Sequence, residues 1–447
     1  MYQYLKDLLT DKKVLILGFG REGRSTYNVI KDMPCKIGVA DKNDITFDAD
    51  VEFIIGDDYQ KAIYDYDLVF KSPGIVLDDQ SENVLSKITA QADCMIKRYK
   101  NQIIGITGTK GKSTVTTLTY HILKNAVGNC ILMGNIGIPA FDMLDEINEN
   151  SILVYEFSCH QLEYSPYSPH IGVLLNIFPE HLDHYGTFEK YEAAKCNIYA
   201  NQNADDILVC NIDNVPNKEY NDKNLITVSL DKKADVYLEG NAIVDFDKAI
   251  DFTEFKSNLL GRHNMYNIAI CYNVCKKYGV SLEEFKKHLK TYKPLPHRLE
   301  FAGEYDGVKY YDDSISTIGE TTIQGLESLD NVGTLIIGGM DRGICYDVLM
   351  DFLKDYRVDN IICMYDTGKR LYKRLKEYKD KNVVLVENLE QAVVKAKSLT
   401  PKGTACLMSP AAASYGFFKN FEERGDKFKE LIMNNYGRNP HLRISFL

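Results

Sequence analysis

The sequence predicts an α/β protein built from three successive domains. Apolar strand segments alternate with polar helical segments along most of the 447 residues, as in parallel sheets covered by helices. The length also corresponds to roughly three domains of ordinary size. Residues 291–297 contain two prolines within three positions, and we interpret them as a stiff linker before the last block.

The predicted elements fall into three blocks along the chain. The first block has strands at 14–17, 37–40, 52–55 and 68–70. The second has strands at 103–106, 153–157, 171–177 and 207–210, helices at 115–123 and 265–278, and a small β excursion within 236–260. The third has strands at 308–311, 334–337, 360–363, 383–386 and 405–408.

Composition excludes several classes of protein. The content of 45% apolar and 26% charged residues is ordinary for soluble globular proteins, and no run approaches the ~18 apolar residues of a membrane span. A net charge of −10 argues against broad binding of nucleic acid, which needs a basic face. Eleven cysteines without C-x-x-C pairs, and no secretory leader, favour a reducing cytoplasm. Cys271 and Cys275 are expected to pack in a helix.

The most informative motif is a phosphate loop between a short apolar strand and an apolar helix. It spans residues 105–114 and reads Gly-Ile-Thr-Gly-Thr-Lys-Gly-Lys-Ser-Thr. Its glycines allow backbone N–H groups to surround a phosphate, Lys112 supplies charge, and Ser113 or Thr114 could hold Mg²⁺. The spacing is imperfect, because a strict loop would have glycine where Ile106 stands. The motif therefore predicts nucleotide binding, with a plain glycine-rich turn as the alternative.

A second glycine motif follows the first predicted strand. Gly18, Gly20 and Gly23 form a G-x-G-x-x-G pattern, and Asp41 ends the next strand, where an acidic residue could meet a ribose. The pattern fits NAD, FAD, a nucleotide-sugar pyrophosphate or a tight strand–helix crossing. The Ser72-Pro73-Gly74 turn would lie at the same sheet edge, and a simple turn is an equally good interpretation.

Carboxylates and histidines follow two strands of the second block. Glu156 closes the strand at 153–157, where Mg²⁺ bridging ATP phosphates would need a carboxylate. His181, Asp183 and His184 follow the strand at 171–177 and suggest a metal or substrate site, although their spacing matches no zinc pattern. Lys195 lies on a predicted helix and, from periodicity alone, is a surface lysine.

In the third block, polar or small residues stand at the ends of several strands. Asp312-Asp313-Ser314 ends the first of these strands, and Arg298 follows the linker, so both could reach a nucleotide. The turns at 338–343 and 409–414 would let a carboxylate-bearing ligand approach the backbone. The repetition of such turns at strand ends within one domain is what gives them weight.

Taken in order, these motifs resemble those of the Mur ligases, the ATP-dependent amide ligases of peptidoglycan precursor synthesis. The resemblance covers essentially the whole chain and rests on an ordered series of short markers. The markers lie at 18–23, 72–75, 108–114, 135–139, 156–163, 181–183, 261–264, 296–298, 313–314, 338–339 and 409–421. So many markers in the same order are specific to the family.

The resemblance implies a division of labour among three domains. Residues 1–98 would form a Rossmann-like UDP-binding domain, residues 99–293 a central P-loop ATPase-type α/β domain, and residues 294–447 a C-terminal Rossmann-like α/β domain. The reaction implied is the ligation of D-glutamate to UDP-N-acetylmuramoyl-L-alanine through an acyl phosphate, with formation of ADP and phosphate. The expected cofactors are ATP and Mg²⁺, and the expected protein is a cytoplasmic monomer without nucleic-acid or membrane partners.

The same resemblance assigns roles to individual residues. The catalytic set would be Lys112, Glu156, His181 and Lys195, with Lys195 carbamylated and the metal held by Ser113, Glu156, His181 and Lys195. The ATP-binding set would be Gly108, Thr109, Lys110, Gly111, Lys112, Ser113, Thr114, Asn264, Asn267, Arg298 and Asp313. The UDP-substrate set would be Gly18, Gly20, Gly23, Asp41, Ser72, Pro73, Gly74, Asn135 and His181. Incoming glutamate would meet Thr317, Arg342, Ser414 and Phe421.

The sequence departs from the family pattern at positions near the expected acceptor site. Lys110 replaces a usual asparagine, Ile315 replaces a usual lysine, and Arg342 stands where some relatives carry lysine. These changes leave open an L-glutamate-adding ligase on the same substrate. A folylpolyglutamate-type ligase and a catalytically silent nucleotide-binding paralogue are weaker alternatives.

Overall fold

The computed structural model describes residues 1–45, 47, 51–136, 138–221, 223–246, 248–251 and 257–434, together with their side chains except that of Asp183. Within these residues the chain forms three predominantly parallel sheets of five, nine and six strands, each flanked by helices. The predicted α/β class is therefore confirmed.

The first sheet is wholly parallel, with strand order β3-β2-β1-β4-β5. Its central strand is almost entirely buried, which fits an apolar run covered on both faces. The strands are β1 (Lys13–Leu17), β2 (Lys36–Asp41), β3 (Glu52–Ile55), β4 (Leu68–Lys71) and β5 (Ile88–Thr89). The helices are α1 (Tyr2–Leu9), α2 (Arg21–Ile30), α3 (Glu82–Leu85) and α4 (Gln91–Tyr99).

The second sheet has the order β14-β13-β12-β11-β10-β9-β6-β8-β7 and is antiparallel only among its last three strands in sequence. Its first five strands are β6 (Ile103–Thr107), β7 (Cys130–Gly134), β8 (Ile152–Glu156), β9 (Ile171–Leu174) and β10 (Ile207–Asn211). The others are β11 (Leu225–Ser229), β12 (Val236–Glu239), β13 (Ala242–Asp245) and β14 (Lys248–Asp251). The helices are α5 (Lys112–Ala126), α6 (Cys159–Leu162), α7 (Leu182–Tyr185), α8 (Phe188–Ala200), α9 (Arg262–Lys276) and α10 (Leu282–Leu289).

The third sheet has the order β15-β16-β20-β17-β18-β19, with one antiparallel pair at the β15 edge. Its strands are β15 (Glu300–Tyr305), β16 (Val308–Asp312), β17 (Val332–Ile337), β18 (Asn360–Met364), β19 (Asn382–Val386) and β20 (Ala405–Met408). The helices are α11 (Gly319–Glu327), α12 (Asp347–Asp355), α13 (Tyr365–Leu375), α14 (Leu389–Leu399) and α15 (Phe421–Met433).

Most predicted strands are present, and the differences have local causes. The predicted strand at 171–177 ends at Leu174, because Asn176 leaves the sheet to hydrogen-bond the loop after β6. Helix α5 begins three residues before its predicted start, since its first turn is polar. Four strands were not predicted: β5, β7, β11 and β15.

The chain divides into two compact units, Met1–Lys256 with Met265–Tyr292, and Ser257–Asn264 with Lys293–Leu447. One crossing between the units falls between Tyr292 and Lys293, inside the segment interpreted as a linker. The first two sheets share the first unit, so the domain boundaries at 98/99 and 293/294 remain predictions. No helix among the described residues is both long and apolar enough to cross a membrane.

Candidate active site

At two positions of the loop between β6 and α5, the backbone conformation is one that only glycine adopts without strain. Gly108 and Gly111 have φ of +152° and +87°. A Cβ at Gly108 would lie 2.7 Å from Leu175 Cβ, and one at Gly111 would lie 2.7 Å from Asn267 Oδ1. The loop is therefore held in close contact with its surroundings, and side chains at these two positions are excluded by both conformation and space.

Lys112 begins α5 and turns its side chain back over the loop. Its Nζ donates hydrogen bonds to the carbonyl oxygens of Gly108 and Thr109, both at 3.0 Å. Burial lowers the pKa of Lys112, while the negative charges of Glu156 and Glu180 act in the opposite direction. The ammonium is thus placed beside two carboxylates at the mouth of a phosphate-type loop. Ser113 and Thr114 follow it in the first turn and are partly exposed.

Glu156 ends β8 and is 1% exposed. Its Oε1 accepts a hydrogen bond from Asn135 Nδ2 at 2.9 Å. Its Oε2 is buried without a hydrogen-bond partner among the described residues. A buried carboxylate oxygen in this state carries a large desolvation cost, which a divalent cation would offset.

Lys195 lies on α8 and is 1% exposed, so the expectation of a surface lysine from periodicity is wrong. Its Nζ donates to the Gly108 carbonyl at 2.8 Å and lies 4.8 Å from the centre of the Tyr191 ring. Burial, followed by the positive charge of Lys112, lowers the pKa of Lys195 to about 7. Near neutral pH, a large fraction of this lysine is therefore the uncharged amine.

His181 caps α7 with a left-handed backbone, φ +54°, and is exposed. Its ring centre lies 5.0 Å from that of His160 and 6.2 Å from that of Tyr191. His184, one turn further, hydrogen-bonds Glu163 at 3.0 Å. Burial, then the positive charges of His184 and His181, lower the pKa of His160 to about 3. The side chain of Asp183 lies outside the described residues.

A cavity of about 350 Å³ opens at the carboxyl edge of the first sheet. It contains six of the predicted substrate residues: Gly18, Gly20, Asp41, Ser72, Pro73 and Gly74. Gly23 does not line it; a Cβ there would lie 2.1 Å from the Gly18 carbonyl oxygen, so this glycine permits α2 to pack against the turn. Asp41 accepts hydrogen bonds from the N–H groups of Phe19 and Asn43, which makes it an anchor of the turn.

Glu22, which lines this cavity, and Lys71, which immediately precedes its Ser72–Gly74 wall, have strongly shifted pKa values. Burial raises the pKa of Glu22, which lines the cavity, to about 7. Burial also lowers the pKa of Lys71 to about 8, although Glu163 and Glu22 counteract the shift. Lys71 Nζ donates to the carbonyl oxygen of Pro73 at 3.2 Å and so supports the Ser72–Gly74 turn. Near neutral pH the cavity therefore carries less negative charge than its sequence suggests.

In the second unit, Asp313 follows β16 and is buried. Its carboxylate accepts hydrogen bonds from the hydroxyls of Ser316 and Ser409, at 2.5 and 2.7 Å, and from the Leu299 N–H at 3.1 Å. Burial raises its pKa to about 6. These bonds hold the residues after Arg298 against the turn at 409–414 and make Asp313 an organiser of this sheet edge.

The structure brings two of the four predicted glutamate-binding residues into direct contact. Arg342 is exposed, and its Nη2 donates to the Thr317 carbonyl at 2.9 Å. The segment of Ser414 is tied to the Arg342 loop by the Met340 N–H, which donates to the Ala413 carbonyl at 2.8 Å. Phe421 begins α15, and its carbonyl accepts from the Ser314 hydroxyl at 2.8 Å. Among the predicted ATP-binding residues, Asn264 is buried and donates to the Leu260 carbonyl at 2.7 Å.

The Mur ligase middle-domain model matches residues 106–275. Along 95% of its length, the chain is 35% identical to the UDP-N-acetylmuramoylalanine--D-glutamate ligase of Clostridioides difficile, of which it covers 99%. It is 32% identical to the protein of the same name from Alkaliphilus metalliredigens, covering 95% of this chain and 98% of that relative. The chain belongs to the Mur ligase family. As a Mur ligase it is an ATP-dependent amide ligase, so the predicted enzyme class is confirmed.

Solved Mur ligase structures support the fold. The MurF ligase of Thermotoga maritima in complex with ADP superposes with a TM-score of 0.57 at 17% identity, covering 96% of this chain and 95% of that chain. The UDP-N-acetylmuramate-alanine ligase MurC of the same organism gives 0.56 at 20% identity, covering 94% and 98%.

Several residues that shape this Mur ligase site were not predicted from the sequence. Arg424 is fully buried and donates to Ser314 and to the Ala412 carbonyl, which joins α15 to the two strand-end turns. Lys71 stands between the predicted strand at 68–70 and the Ser72–Gly74 turn, and His160 lies inside the marker at 156–163; the sequence predicts no role for either. Two sequence signals could have pointed to these residues. One is the arginine within the otherwise amphipathic helix α15, and the other is the His-x-x-Glu pair at 160 and 163.

Proposed function

We propose that this Mur ligase joins D-glutamate to UDP-N-acetylmuramoyl-L-alanine, using ATP and passing through an acyl phosphate, in peptidoglycan precursor synthesis. One observation carries the proposal. The partly buried Lys112 and the buried Glu156 and Lys195 converge on a phosphate loop in a chain that is 35% identical, along 95% of its length, to a named D-glutamate ligase.

The charges around the loop support phosphoryl transfer between two anions. The substrate carboxylate must approach the γ-phosphate of ATP, and their repulsion must be screened in a dry site. Lys112 provides a partly buried cation over the loop carbonyls, and the loop places backbone N–H groups at the start of α5. The glutamate amine then attacks the acyl phosphate, forming the amide bond and releasing inorganic phosphate.

The side chains around the loop fit Mg²⁺. Ser113 and Glu156 would hold one ion, and the buried Glu156 Oε2 is a suitable oxygen ligand. His181 and Lys195, the latter as a carbamate, would hold a second. When bound, the metal supplies charge neutralisation to the phosphate oxygens. The lowered pKa of Lys195 supports carbamylation, because only an uncharged amine adds to carbon dioxide.

The cavity at the first sheet and the strand-end turns of the third sheet would bind the substrates. The 350 Å³ cavity beside Gly18 and Ser72 would hold the UDP moiety, and Asn135 would contact the muramoyl group. The remaining nucleotide contacts would come from Asn264, Asn267, Arg298 and Asp313. The glutamate carboxylate would meet the Arg342 guanidinium, whose fork suits bidentate binding, with Thr317, Ser414 and Phe421 around it. We further propose that the enzyme acts as a cytoplasmic monomer.

Phosphate release by the purified enzyme tests the reaction. With UDP-N-acetylmuramoyl-L-alanine and ATP, release should depend on added D-glutamate, and L-glutamate should be a poor substitute. Lys112→Ala should lower kcat/KM by about 10²–10³-fold, whereas Lys124→Ala, an exposed lysine on the same helix, should leave it unchanged. Faster turnover with L-glutamate would favour the L-specific alternative. Turnover on a folate instead of the UDP-sugar would favour a folylpolyglutamate-type ligase, and ATP binding without any turnover would favour a silent paralogue.

A further inference from the structure

A group of metal-ligating side chains lies outside the proposed catalytic residues, where α6 approaches α7. His160, Glu163 and His184 each offer one ligand atom, and these three atoms lie within 4.8 Å of one another. His160 and Glu163 are three residues apart at α6, so they share one face of that helix turn. His184 comes from α7 and completes the group. Two separate elements therefore converge on one point.

We propose that His160, Glu163 and His184 form a binding site for one transition-metal dication of the Zn²⁺ type. Two imidazoles and one carboxylate are a donor set that favours zinc over magnesium, since Mg²⁺ prefers oxygen ligands and retains water. Three protein ligands leave a fourth tetrahedral position for water. Its three ligands differ from the residues proposed to hold Mg²⁺, which are Ser113, Glu156, His181 and Lys195.

The distances are close to those that a tetrahedral zinc site needs. Bonds of 2.0–2.1 Å at tetrahedral angles separate ligand atoms by about 3.3 Å. His184 Nε2 and Glu163 Oε2 are 3.0 Å apart, and the ring centres of His160 and His184 are 4.3 Å apart. All three ligand atoms lie within 4.8 Å of one another, so none has to approach another by more than about 1.5 Å to reach that spacing.

Neighbouring groups already orient the ligands. The Tyr185 hydroxyl hydrogen-bonds His160 Nδ1 at 3.2 Å, the type of outer partner that fixes a ligating imidazole. The side chains of His184 and Glu163 are only 8% and 12% exposed, so both are held in place by packing. The Lys71 ammonium lies 4.0 Å from Glu163 Oε2 and competes with a cation for that oxygen. Lys71 also donates to two carbonyl groups, which gives it other partners when the metal binds.

A second group overlaps the first and shares His160. Cys159, His160 and His181 also place one ligand atom each within 4.8 Å of one another. Cys159 is buried, and the exposed His181 is already a proposed Mg²⁺ ligand, so the His160–Glu163–His184 group is the one made only of residues outside the proposed catalytic set. The spectroscopic test below distinguishes the two ligand sets.

Competition with a chromophoric zinc chelator measures the affinity without any ligase assay. Wild-type protein should bind one Zn²⁺, and the double variant His160→Ala/His184→Ala should bind it more than about 10-fold more weakly. Glu163→Gln should also weaken binding. The matched control is His170→Ala, which removes a histidine paired with Asp206 in the same unit and should leave zinc affinity unchanged. Equal affinities of wild-type protein and the double variant would overturn the proposal.

Substitution of Co²⁺ into the wild-type protein provides a test that does not depend on the folding of variants. The proposed ligands predict the visible absorption of tetrahedral cobalt with nitrogen and oxygen donors and no thiolate-to-cobalt charge-transfer band. Such a band would identify Cys159 as a ligand and overturn the proposed set. Failure of the D-glutamate reaction would not affect either measurement, so the two proposals fail separately.

Discussion

Replacing Gly111 by alanine tests whether the shape of the phosphate loop is essential. Gly111 has φ +87°, a conformation that costs other residues about 1–2 kcal/mol. The new Cβ would also lie 2.7 Å from Asn267 Oδ1, and ordinary contact begins at 3.4 Å, so the loop and Asn267 must separate by about 0.7 Å. A shift of about 1 Å in a reacting group can cost roughly 10²-fold in rate. We therefore expect Gly111→Ala to lower kcat/KM for ATP by about 10–100-fold.

The control for this substitution is Gly279→Ala. Gly279 has a similar φ of +77°, but a Cβ there would have no heavy atom within 4 Å. Gly279→Ala should lose about 1–2 kcal/mol in the free energy of unfolding, measured by denaturant titration, and Gly111→Ala at least as much. Only Gly111→Ala should lose activity and ATP affinity, measured by steady-state kinetics and calorimetry. Wild-type kcat/KM for ATP in Gly111→Ala would refute the view that this close approach sets the geometry of the loop.

Three further predictions concern ionisable groups. Lys195→Ala should lose at least about 10²-fold in kcat and recover partly with added bicarbonate or short carboxylates. The control Lys190→Ala, at an exposed lysine of the same helix, should behave as wild type. Unaltered turnover in Lys195→Ala would exclude a carbamate role. Glu156→Gln should raise the Mg²⁺ concentration needed for half-maximal activity by about 10-fold or more, and an unchanged requirement would remove Glu156 from the metal site. The folded pKa of Glu22, about 7, exceeds its ordinary value of 4.5, so its contribution to stability is present below pH 4.5 and is lost as pH rises through 7. Glu22→Gln should therefore be more stable than wild type at pH 8, by up to about 3 kcal/mol, and the difference should vanish near pH 4. A pH-independent difference in denaturation would contradict this assignment.

The fold class and most of the strands are predictable from the sequence, because buried parallel strands are continuous apolar runs. It also identified the phosphate loop, whose glycines, lysine and hydroxyl residues are contiguous and whose backbone needs are local. Strand β7 was not predicted, because a short apolar run after a helix cannot be told from a buried helical segment by its periodicity. Strand β15 was not predicted, because an edge strand with many polar residues has the composition of a loop.

The burial, pKa and partners of individual side chains follow from tertiary contacts and are not predictable from the sequence. Periodicity placed Lys195 on the surface, yet the packing of α8 buries it against the Gly108 carbonyl and lowers its pKa. Asp41 and Gly23 were predicted as parts of one ligand-binding motif. In the structure Asp41 accepts a hydrogen bond from the turn after β1, and Gly23 allows α2 to pack closely against that turn. His160, Glu163 and His184 lie close together only because α6 and α7 approach each other, and this distance cannot be predicted from the sequence. Burial and charge proximity depend on contacts between distant segments, and these properties set the chemistry of the site.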